Sequence, residues 1–284
     1  MEELKDRVAV VTGAGSGIGR AMTRRFAAEG MRVALADVEE DALAGTRDLL
    51  DGDGVPAGSV TSQVTDVGDE AAVAALADHV YDAFGAAHVL CANAGVFAGG
   101  QMWSRSAADF EWVLRVNLWG VLHTVRAFVP RMVEQDTEGH VVVTSSVAGL
   151  FGAPFSSPYT ISKFAAYAAA ETLAHEFVIT GSKLRASVLC PGGVTTRIHE
   201  SGRNRPAGLP ASAPTDTEAF VDQVIADTVT GGIPPEDVAG HVVDAIRAER
   251  FLILTHDAYA PGLTARAEAL AAGRLPALPD FEGK

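Results

Sequence analysis

The stretch "TGAGSGIG" (12–19) decides the fold, because it joins a strand-like run to a helix-like one. "RVAVVTG" (7–13) is apolar and β-branched like a buried strand, and the segment from about Ile18 to Glu29 is helical in character. The glycines permit a tight turn and let a pyrophosphate approach the backbone N–H groups at the start of the helix. This order predicts a dinucleotide-binding unit. A purely structural strand-to-helix turn is the alternative.

Outward from this turn, short β-branched runs alternate with longer amphipathic segments. The predicted strands lie at 7–13, 32–37, 59–66, 88–95, 139–146, 184–193 and 251–256. The predicted helices lie at about 18–29, 39–50, 69–84, 107–134 and 159–178, with two more that open near 215 and 234. Apolar strands separated by helices are typical of a parallel sheet covered on both faces. We therefore predict an α/β fold, a Rossmann-type doubly wound sheet of about seven parallel strands, as a single domain over 1–284.

Composition narrows the classes of partner. The 284 residues carry a formal net charge of −14, which argues against nucleic acid and anionic membranes as partners. The N-terminus lacks the features of a secretory signal, and no apolar run is long enough to span a bilayer, so a cytoplasmic protein is expected.

Cys91 and Cys190 sit in apolar runs and are expected to be buried, reduced thiols rather than a disulfide or reactive thiols. The eight histidines form no cluster of metal-ligand spacing, so no metal is expected.

The end of the second predicted strand bears on the choice of dinucleotide. Asp37 stands there, where a carboxylate accepts hydrogen bonds from both adenosine ribose hydroxyls and repels a 2′-phosphate. Ser16 adds no positive charge to the glycine turn, and Arg32 precedes the strand and should point elsewhere. We therefore expect NAD rather than NADP. Asp37 as the N-cap of the following helix is the alternative, and both roles are compatible.

One region breaks the alternation of strands and helices. Residues 197–215 are rich in Arg, Pro, Gly and Ser and follow directly after a strand. Thr215 and Glu218 form a possible capping box for a short helix with Phe220, Val221, Val224 and Ile225 on one face. Long insertions in compact domains are commonly functional, so 197–232 is predicted to be a substrate lid. A plain surface excursion or a subunit contact is the alternative.

Several separated motifs point to one family. Besides the glycine turn, they are "TDV" (65–67), "CANAG" (91–95), "VLRVNLWG" (113–120), "TSSVAG" (144–149), "YTISK" (159–163) and "CPGGVTT" (190–196). In this order on one α/β frame, they make the chain resemble the short-chain dehydrogenase/reductase family, in its ordinary single-domain branch.

The resemblance implies a set of site residues. The catalytic set would be Asn117, Ser146, Tyr159 and Lys163. Ser146 is chosen over Ser145 because the family's serine lies thirteen residues before the tyrosine, and because adjacent residues of an extended strand end face opposite ways. The cofactor-binding set would be Gly13, Gly15, Ser16, Gly17, Ile18, Gly19, Asp37, Asp66, Val67, Asn93, Ala94, Gly95, Tyr159, Lys163, Pro191, Gly192, Val194 and Thr196.

The spacing of Tyr159 and Lys163 has a chemical reason. They lie four residues apart near a helix start, where an ammonium and a helix N-terminus both favour a phenolate, so Lys163 is expected to lower the pKa of Tyr159. The resemblance implies that Lys163 also holds the nicotinamide ribose and that Asn117 holds a water that links Lys163 to solvent. Ser146 would bind the substrate oxygen as charge develops on it, and Tyr159 would transfer its proton.

Together these features predict an NAD-dependent enzyme that interconverts a secondary alcohol and a ketone. A small to medium, largely apolar substrate is expected, because Phe97, Trp103, Phe151, Phe155 and Ile198 lie in the active-site loops, although core packing is an alternative for each. An NADP-linked biosynthetic ketoreductase and a non-catalytic dinucleotide sensor on the same fold are the rival functions. The family also implies a homo-oligomer, commonly a tetramer, through the helices at 107–134 and 159–178. Trp112 and Trp119 lie in the first of these helices, where a contact with another subunit and a place in the pocket are equally compatible roles for each side chain.

Overall fold

The sheet is built from strands that are apolar on both faces. A computed structural model describes residues 1–209 and 215–279 of the chain. The strands are β1 Val8–Thr12, β2 Arg32–Asp37, β3 Val60–Val64, β4 Val89–Ala92, β5 Gly139–Thr144, β6 Leu184–Cys190 and β7 Leu252–Leu254. They pair in parallel in the order β3-β2-β1-β4-β5-β6-β7. This confirms the predicted doubly wound sheet of seven parallel strands.

Helices cover both faces of this sheet. They are α1 Gly17–Ala28, α2 Glu40–Gly52, α3 Glu70–Phe84, α4 Ala107–Leu114, α5 Gly120–Glu134, α6 Ser157–Ile179, α7 Asp216–Thr230, α8 Pro235–Arg247 and α9 Ala260–Ala271. Successive residues of β1 serve opposite faces: Val10 joins the core that contains Phe128, and Val11 joins the core that contains Phe26. The apolar runs of the sequence are therefore explained by a sheet buried on both faces.

The strand order creates a crevice at one edge of the sheet. The chain runs outward from β1 through β2 to β3, then returns to the other side of β1 to form β4. The connections that leave β1 and β4 therefore diverge, and ligands of open α/β sheets bind at such a switch point beside the carboxyl ends of the strands. The glycine turn follows β1 and "CANAG" spans the carboxyl end of β4, so both motifs lie at this crevice.

The long helix predicted at 107–134 is instead three consecutive segments. A π-helical turn over Arg115–Trp119 separates α4 from α5. A π-turn inserts one residue into the helix ladder, which apolar periodicity does not reveal. Helix α5 also continues past Pro130 to Glu134.

Three further differences between the predicted and the observed structure concern helices. Helix α6 begins at Ser157 rather than Tyr159, with Pro158 in its first turn, and α9 was not predicted. The capping box of Thr215 and Glu218 on α7 is confirmed. The expected apolar face of that helix is only partly buried, because Phe220 and Val224 are exposed while Val221 is buried against Gly99.

Two absences concern the described residues alone. Among residues 1–209 and 215–279, no helix combines the length and apolar character needed to cross a bilayer. Within the same ranges, no group of three His, Cys, Asp or Glu side chains is placed to hold a metal ion.

Candidate active site

A groove runs along the switch point from the end of β2 to the start of α6. At one end it is lined by Asp37 and Glu39, and at the other by Ser146, Tyr159 and Lys163. Between these ends lie the glycine turn and the loops after β4 and β6. Every predicted site residue lines this groove except Gly15 and Asn117.

The glycine turn has the open backbone that a close ligand requires. Gly13 and Gly17 have φ angles of 68° and 49°, a region that favours glycine. A Cβ atom on Gly13 would lie 2.9 Å from Cα of Ala94, so a side chain there would collide with the neighbouring loop. Ser16 is the N-cap of α1, and the first residues of this helix, Gly17 to Gly19, line the groove with N–H groups that have no partner within the helix. The turn therefore fits the pyrophosphate of a dinucleotide.

Asp37 is held at the groove by two backbone donors. Its Oδ2 accepts from N of Gly15 at 2.8 Å, and its Oδ1 accepts from N of Glu39 at 3.1 Å. Gly15 thus positions the carboxylate instead of lining the groove. The N-cap of α2 is Glu39, so the alternative role of Asp37 as N-cap is wrong. Burial raises the pKa of Asp37, while the two backbone N–H groups oppose that rise. Arg32 points away, as predicted, and donates to O of Phe84 at 3.2 Å.

Asn93 ties three strand ends together. Its Nδ2 donates to O of Thr12 at 3.0 Å, and its Oδ1 accepts from Oγ1 of Thr144 at 3.0 Å. Thr12 in turn accepts from the N–H groups of Asn93 and Ala94. These bonds fix the loop 93–95 against the glycine turn and place Ala94 and Gly95 at the groove.

Asn117 is fully buried in the π-helical turn, and its side chain holds the same loop from the other side. Its Oδ1 accepts from N of Val96 at 2.8 Å, and its Nδ2 donates to O of Val96 at 2.9 Å and to Oγ of Ser162 at 2.9 Å. The side chain therefore clamps the loop to α6. The expected role as the holder of a water stays a prediction, since Oδ1 accepts one of the two hydrogen bonds that it can accept.

Ser146, Tyr159 and Lys163 meet at the other end of the groove. Oγ of Ser146 donates to O of Pro191 at 3.4 Å and accepts from N of Ala148 at 3.1 Å, and its hydroxyl lies near the phenol of Tyr159. Nζ of Lys163 donates to O of Thr144 at 2.9 Å and lies 5.5 Å from the centroid of the Tyr159 ring. The choice of Ser146 agrees with this geometry, since Ser145 turns away and donates to O of Lys163 at 2.7 Å.

The pKa of Tyr159 differs from the expectation. Loss of water around the phenol raises the pKa of Tyr159 to about 12, although the nearby hydroxyl of Ser146 acts in the opposite direction. Burial lowers the pKa of Lys163 to about 8. In the polypeptide alone, the pKa of Tyr159 therefore lies above its ordinary value and not below it as expected, because desolvation is the largest effect.

The loop after β3 brings both of its predicted cofactor-binding residues, Asp66 and Val67, to the groove. Asp66 lines the groove, but its Oδ2 pairs with Nη2 of Arg115 at 2.6 Å and its Oδ1 accepts from N of Gly68 at 2.8 Å. Val67 also lines the groove, and its carbonyl contacts Nδ1 of His123 at 2.9 Å. Arg115 is thus brought to the groove by a pairing that the sequence did not reveal.

The loop after β6 closes the groove beside Tyr159. N of Gly192 donates to Oγ1 of Thr255 at 3.1 Å, which ties the loop to the end of β7. Pro191, Gly192, Val194 and Thr196 all line the groove. Thr196 lies directly over the glycine turn, because a Cβ on Gly17 would stand 3.0 Å from its Cγ2.

The apolar residues that were expected to line a substrate pocket divide into those at the groove and those away from it. The buried ring of Phe97 stacks against Tyr159 with centroids 5.2 Å apart, and Ile198 lines the groove. Phe151 is buried against Tyr259 in the core, while Trp103 and Phe155 are exposed. Among the tryptophans of the central helices, Trp112 is buried at the groove whereas Trp119 is half exposed.

Sequence reasoning missed several residues of the groove. They are Val38, Glu39, Thr65, Val96, Arg115, Val116, Thr144 and Ser145, together with Arg197, Ser201, Arg203, Asn204, Pro206 and Val229, which lie in the predicted lid but were not named as lining residues. The "GRNR" sequence at 202–205 was the one available signal, since two arginines just after a strand end are suited to anions or carboxylates. Residues 210–214 of the predicted lid lie outside the described residues. Cys91 and Cys190 are both buried free thiols, as expected.

Known proteins share this architecture and these motifs. The short chain dehydrogenase family matches residues 7–206. A short chain dehydrogenase/reductase from Burkholderia phymatum, solved in complex with NAD, is 42% identical, with a TM-score of 0.95 over 99% of each chain. A CLA biosynthesis dehydrogenase/reductase from Lactiplantibacillus plantarum is 30% identical over 100% of this chain and 99% of its own. A 1-deoxy-11-beta-hydroxypentalenate dehydrogenase from Streptomyces avermitilis is 35% identical over 89% of this chain and 86% of its own. The chain is therefore an oxidoreductase that belongs to the short-chain dehydrogenase family.

Proposed function

We propose that this protein is an NAD(H)-dependent oxidoreductase that interconverts a secondary alcohol and a ketone. One observation carries the proposal: Tyr159, Ser146 and Lys163 meet at one end of a groove whose other end presents the carboxylate of Asp37. A carboxylate at that end suits the two hydroxyls of an adenosine ribose and repels a 2′-phosphate. The NAD bound by the Burkholderia phymatum protein supports the same cofactor here.

The residues of the groove fit a dinucleotide along its whole length. The glycine turn and the start of α1 would hold the pyrophosphate, and Asp37 the adenosine ribose. Lys163 would hold the nicotinamide ribose, and the loop after β6 would seat the carboxamide through Val194 and Thr196. When bound, the nicotinamide supplies the hydride acceptor or donor.

The protein's own part of the chemistry is proton transfer and the positioning of the substrate oxygen. In ketone reduction the phenol of Tyr159 donates its proton to the carbonyl oxygen, and in alcohol oxidation the phenolate accepts the hydroxyl proton. Ser146 hydrogen-bonds the same substrate oxygen as negative charge develops on it. Lys163 carries positive charge near the phenolate and is fixed in place by O of Thr144.

A largely apolar substrate of small to medium size suits the surroundings of Tyr159. Phe97 packs against the phenol, and Trp112, Ile198 and Val229 line the adjoining part of the groove. The Streptomyces avermitilis relative is named a dehydrogenase of a hydroxy compound, which supports an alcohol as substrate.

The test is to screen secondary alcohols with NAD and to follow the absorbance of reduced nicotinamide. Turnover is expected with apolar alcohols, and the Tyr159→Phe variant should lose about 10²–10⁴-fold in kcat because it lacks the transferred proton. This variant keeps the ring that contacts Phe97, so NADH binding should survive. Retained turnover in Tyr159→Phe would overturn the mechanism. NADPH binding tighter than NADH binding would favour the rival NADP-linked ketoreductase.

A further inference from the structure

A short segment after β6 passes over the groove, and we call residues 195–205 the strap. It begins with N of Thr195 bonded to O of Ile233 at 2.9 Å and with Thr196 packed over Gly17 of the glycine turn. It then forms a tight helical turn over Ile198–Asn204. Its Ser201 is buried and accepts from N of Phe97 at 3.0 Å. The strap therefore starts at the phosphate end of α1 and continues across the groove.

The C-terminal end of the strap is hydrogen-bonded to Glu39, which lies on the opposite wall of the groove. Oε1 of Glu39 accepts from Nε of Arg203 at 3.0 Å and from Nδ2 of Asn204 at 2.9 Å. Burial acts to raise the pKa of Glu39, but the bonds from Asn204 and Arg203 hold it below its ordinary value. Glu39 lies two residues after Asp37, so the attachment point is at the proposed adenosine end.

Arg203 is held in the orientation that this attachment needs. Its Nη1 donates to O of Arg197 at 3.1 Å and to O of Glu200 at 3.0 Å, so the guanidinium also closes the turn of the strap. The next arginine fixes the strap on the other side, where Nη1 of Arg205 pairs with the buried carboxylate of Asp109 at 2.6 Å. The strap thus bridges the segments that follow β2 and β4, on either side of the glycine turn.

We propose that Glu39 is a cofactor-retention residue: through Arg203 and Asn204 it fastens the strap across the dinucleotide groove and slows the release of the dinucleotide. The proposal rests on the proposed function, since it concerns the same dinucleotide site. A dinucleotide between the glycine turn and the strap leaves the groove when the strap lifts, and the strap lifts when the bonds to Glu39 break. Glu39 otherwise carries a negative charge beside an anionic ligand, which by itself would speed release.

The test is the rate at which NADH leaves the full-length protein. Protein loaded with NADH is mixed with a large excess of NAD, and the loss of bound NADH fluorescence is followed by stopped flow. Glu39→Ala and Arg203→Met should each raise the dissociation rate by about three- to tenfold, the range for a partly exposed ion pair with charged hydrogen bonds. The double variant should be no faster than the faster single variant, because both changes break the same attachment.

The strap supplies its own matched control. Glu200 pairs with Arg197 inside the strap, with Oε2 2.6 Å from Nε, and makes no side-chain bond to the wall of the groove. Glu200→Ala therefore removes the same charge from the same region without unfastening the strap. Its dissociation rate should stay within about twofold of the parent protein.

The outcomes separate this proposal from the proposed function. If the parent protein shows no saturable NADH fluorescence, the proposed function fails and the retention role fails with it. If NADH binds but Glu39→Ala and Arg203→Met release it at the parent rate, only the retention role is overturned. Equal acceleration in Glu200→Ala would also overturn it, because a general charge effect would then explain the rates. If Glu39→Ala does not fold, Arg203→Met against Glu200→Ala decides the matter.

Discussion

Replacing Asn117 by Ala should destabilise the fold as well as impair the site. The side chain is fully buried and makes three hydrogen bonds, two of them with the backbone N–H and C=O of Val96 at 2.8 and 2.9 Å. Each buried backbone group left without a partner costs about 1–3 kcal/mol. We therefore expect the free energy of unfolding to fall by about 2–4 kcal/mol, with some recovery from water that enters the vacated space.

The assay is urea unfolding at a fixed protein concentration, with turnover measured in parallel. Ser162→Ala is the matched control, because it removes the third partner of the amide and leaves both bonds to Val96 intact. Its cost should be about 1 kcal/mol. Asn117→Asp keeps the acceptor for N of Val96 but brings a carboxylate against O of Val96, so it should be at least as harmful as Asn117→Ala.

The result distinguishes two roles of the Asn117 side chain: a clamp that holds the loop 93–96, and a relay that acts through a bound water. A clamp predicts that stability and turnover fall together, because the loop 93–96 loosens and its neighbours line the groove. A relay predicts a loss of kcat with the unfolding midpoint unchanged. An unfolding free energy within about 0.5 kcal/mol of the parent protein would refute the clamp, since surface-like substitutions fall in that range.

Three further predictions use other parts of the chain. Asp37→Asn should narrow the preference for NADH over NADPH by at least about tenfold in Kd, measured by fluorescence titration, because it removes the charge that repels a 2′-phosphate; an unchanged ratio would contradict the assigned role. Burial lowers the pKa of His140 from its ordinary value of 6.5 to about 4, so its contribution to stability is complete above pH 6.5 and is lost as the pH falls toward 4. The loss should reach about 3 kcal/mol by pH 4 and should flatten in His140→Gln, measured by urea unfolding across that range. Sedimentation should give a homo-oligomer, because Trp119 on the central helices and Ile161 on α6 are 50% and 41% exposed, and a monomer would refute this.

The sheet and the glycine turn could be predicted because both depend on residues close together in the chain. Buried parallel strands need continuous apolar runs, and a strand that feeds a helix beside a phosphate needs glycines. Ser146, Tyr159 and Lys163 were implied by the resemblance to the family, and the fold brings them together because a strand end and the following helix start meet at one edge of the sheet. Helix α9 was missed because its large apolar side chains are few, Leu263 and Leu270, and only Ala269 is buried.

The attachments across the groove could not be predicted, because they join residues far apart in the sequence. Glu39 and Arg203 are 164 positions apart, and neither belongs to a motif. Asn117 stood in a recognised motif, yet its bonds to Val96 depend on how a π-helical turn points its side chain. Such hydrogen bonds between distant residues are set by the three-dimensional fold. A sequence pattern can therefore identify a functional residue without identifying the residue to which it is bonded.

The spacing of Tyr159 and Lys163 predicted a pair, but burial decides the order in which the two residues lose protons. With pKa values of about 12 for Tyr159 and about 8 for Lys163, rising pH discharges the ammonium before the phenol. At pH 7 the phenol is protonated and ready to donate, which suits ketone reduction directly. Formation of the phenolate at that pH is therefore disfavoured in the polypeptide alone. In the proposed alcohol oxidation, the positive charge of Lys163 near the phenol would favour the phenolate that accepts the hydroxyl proton.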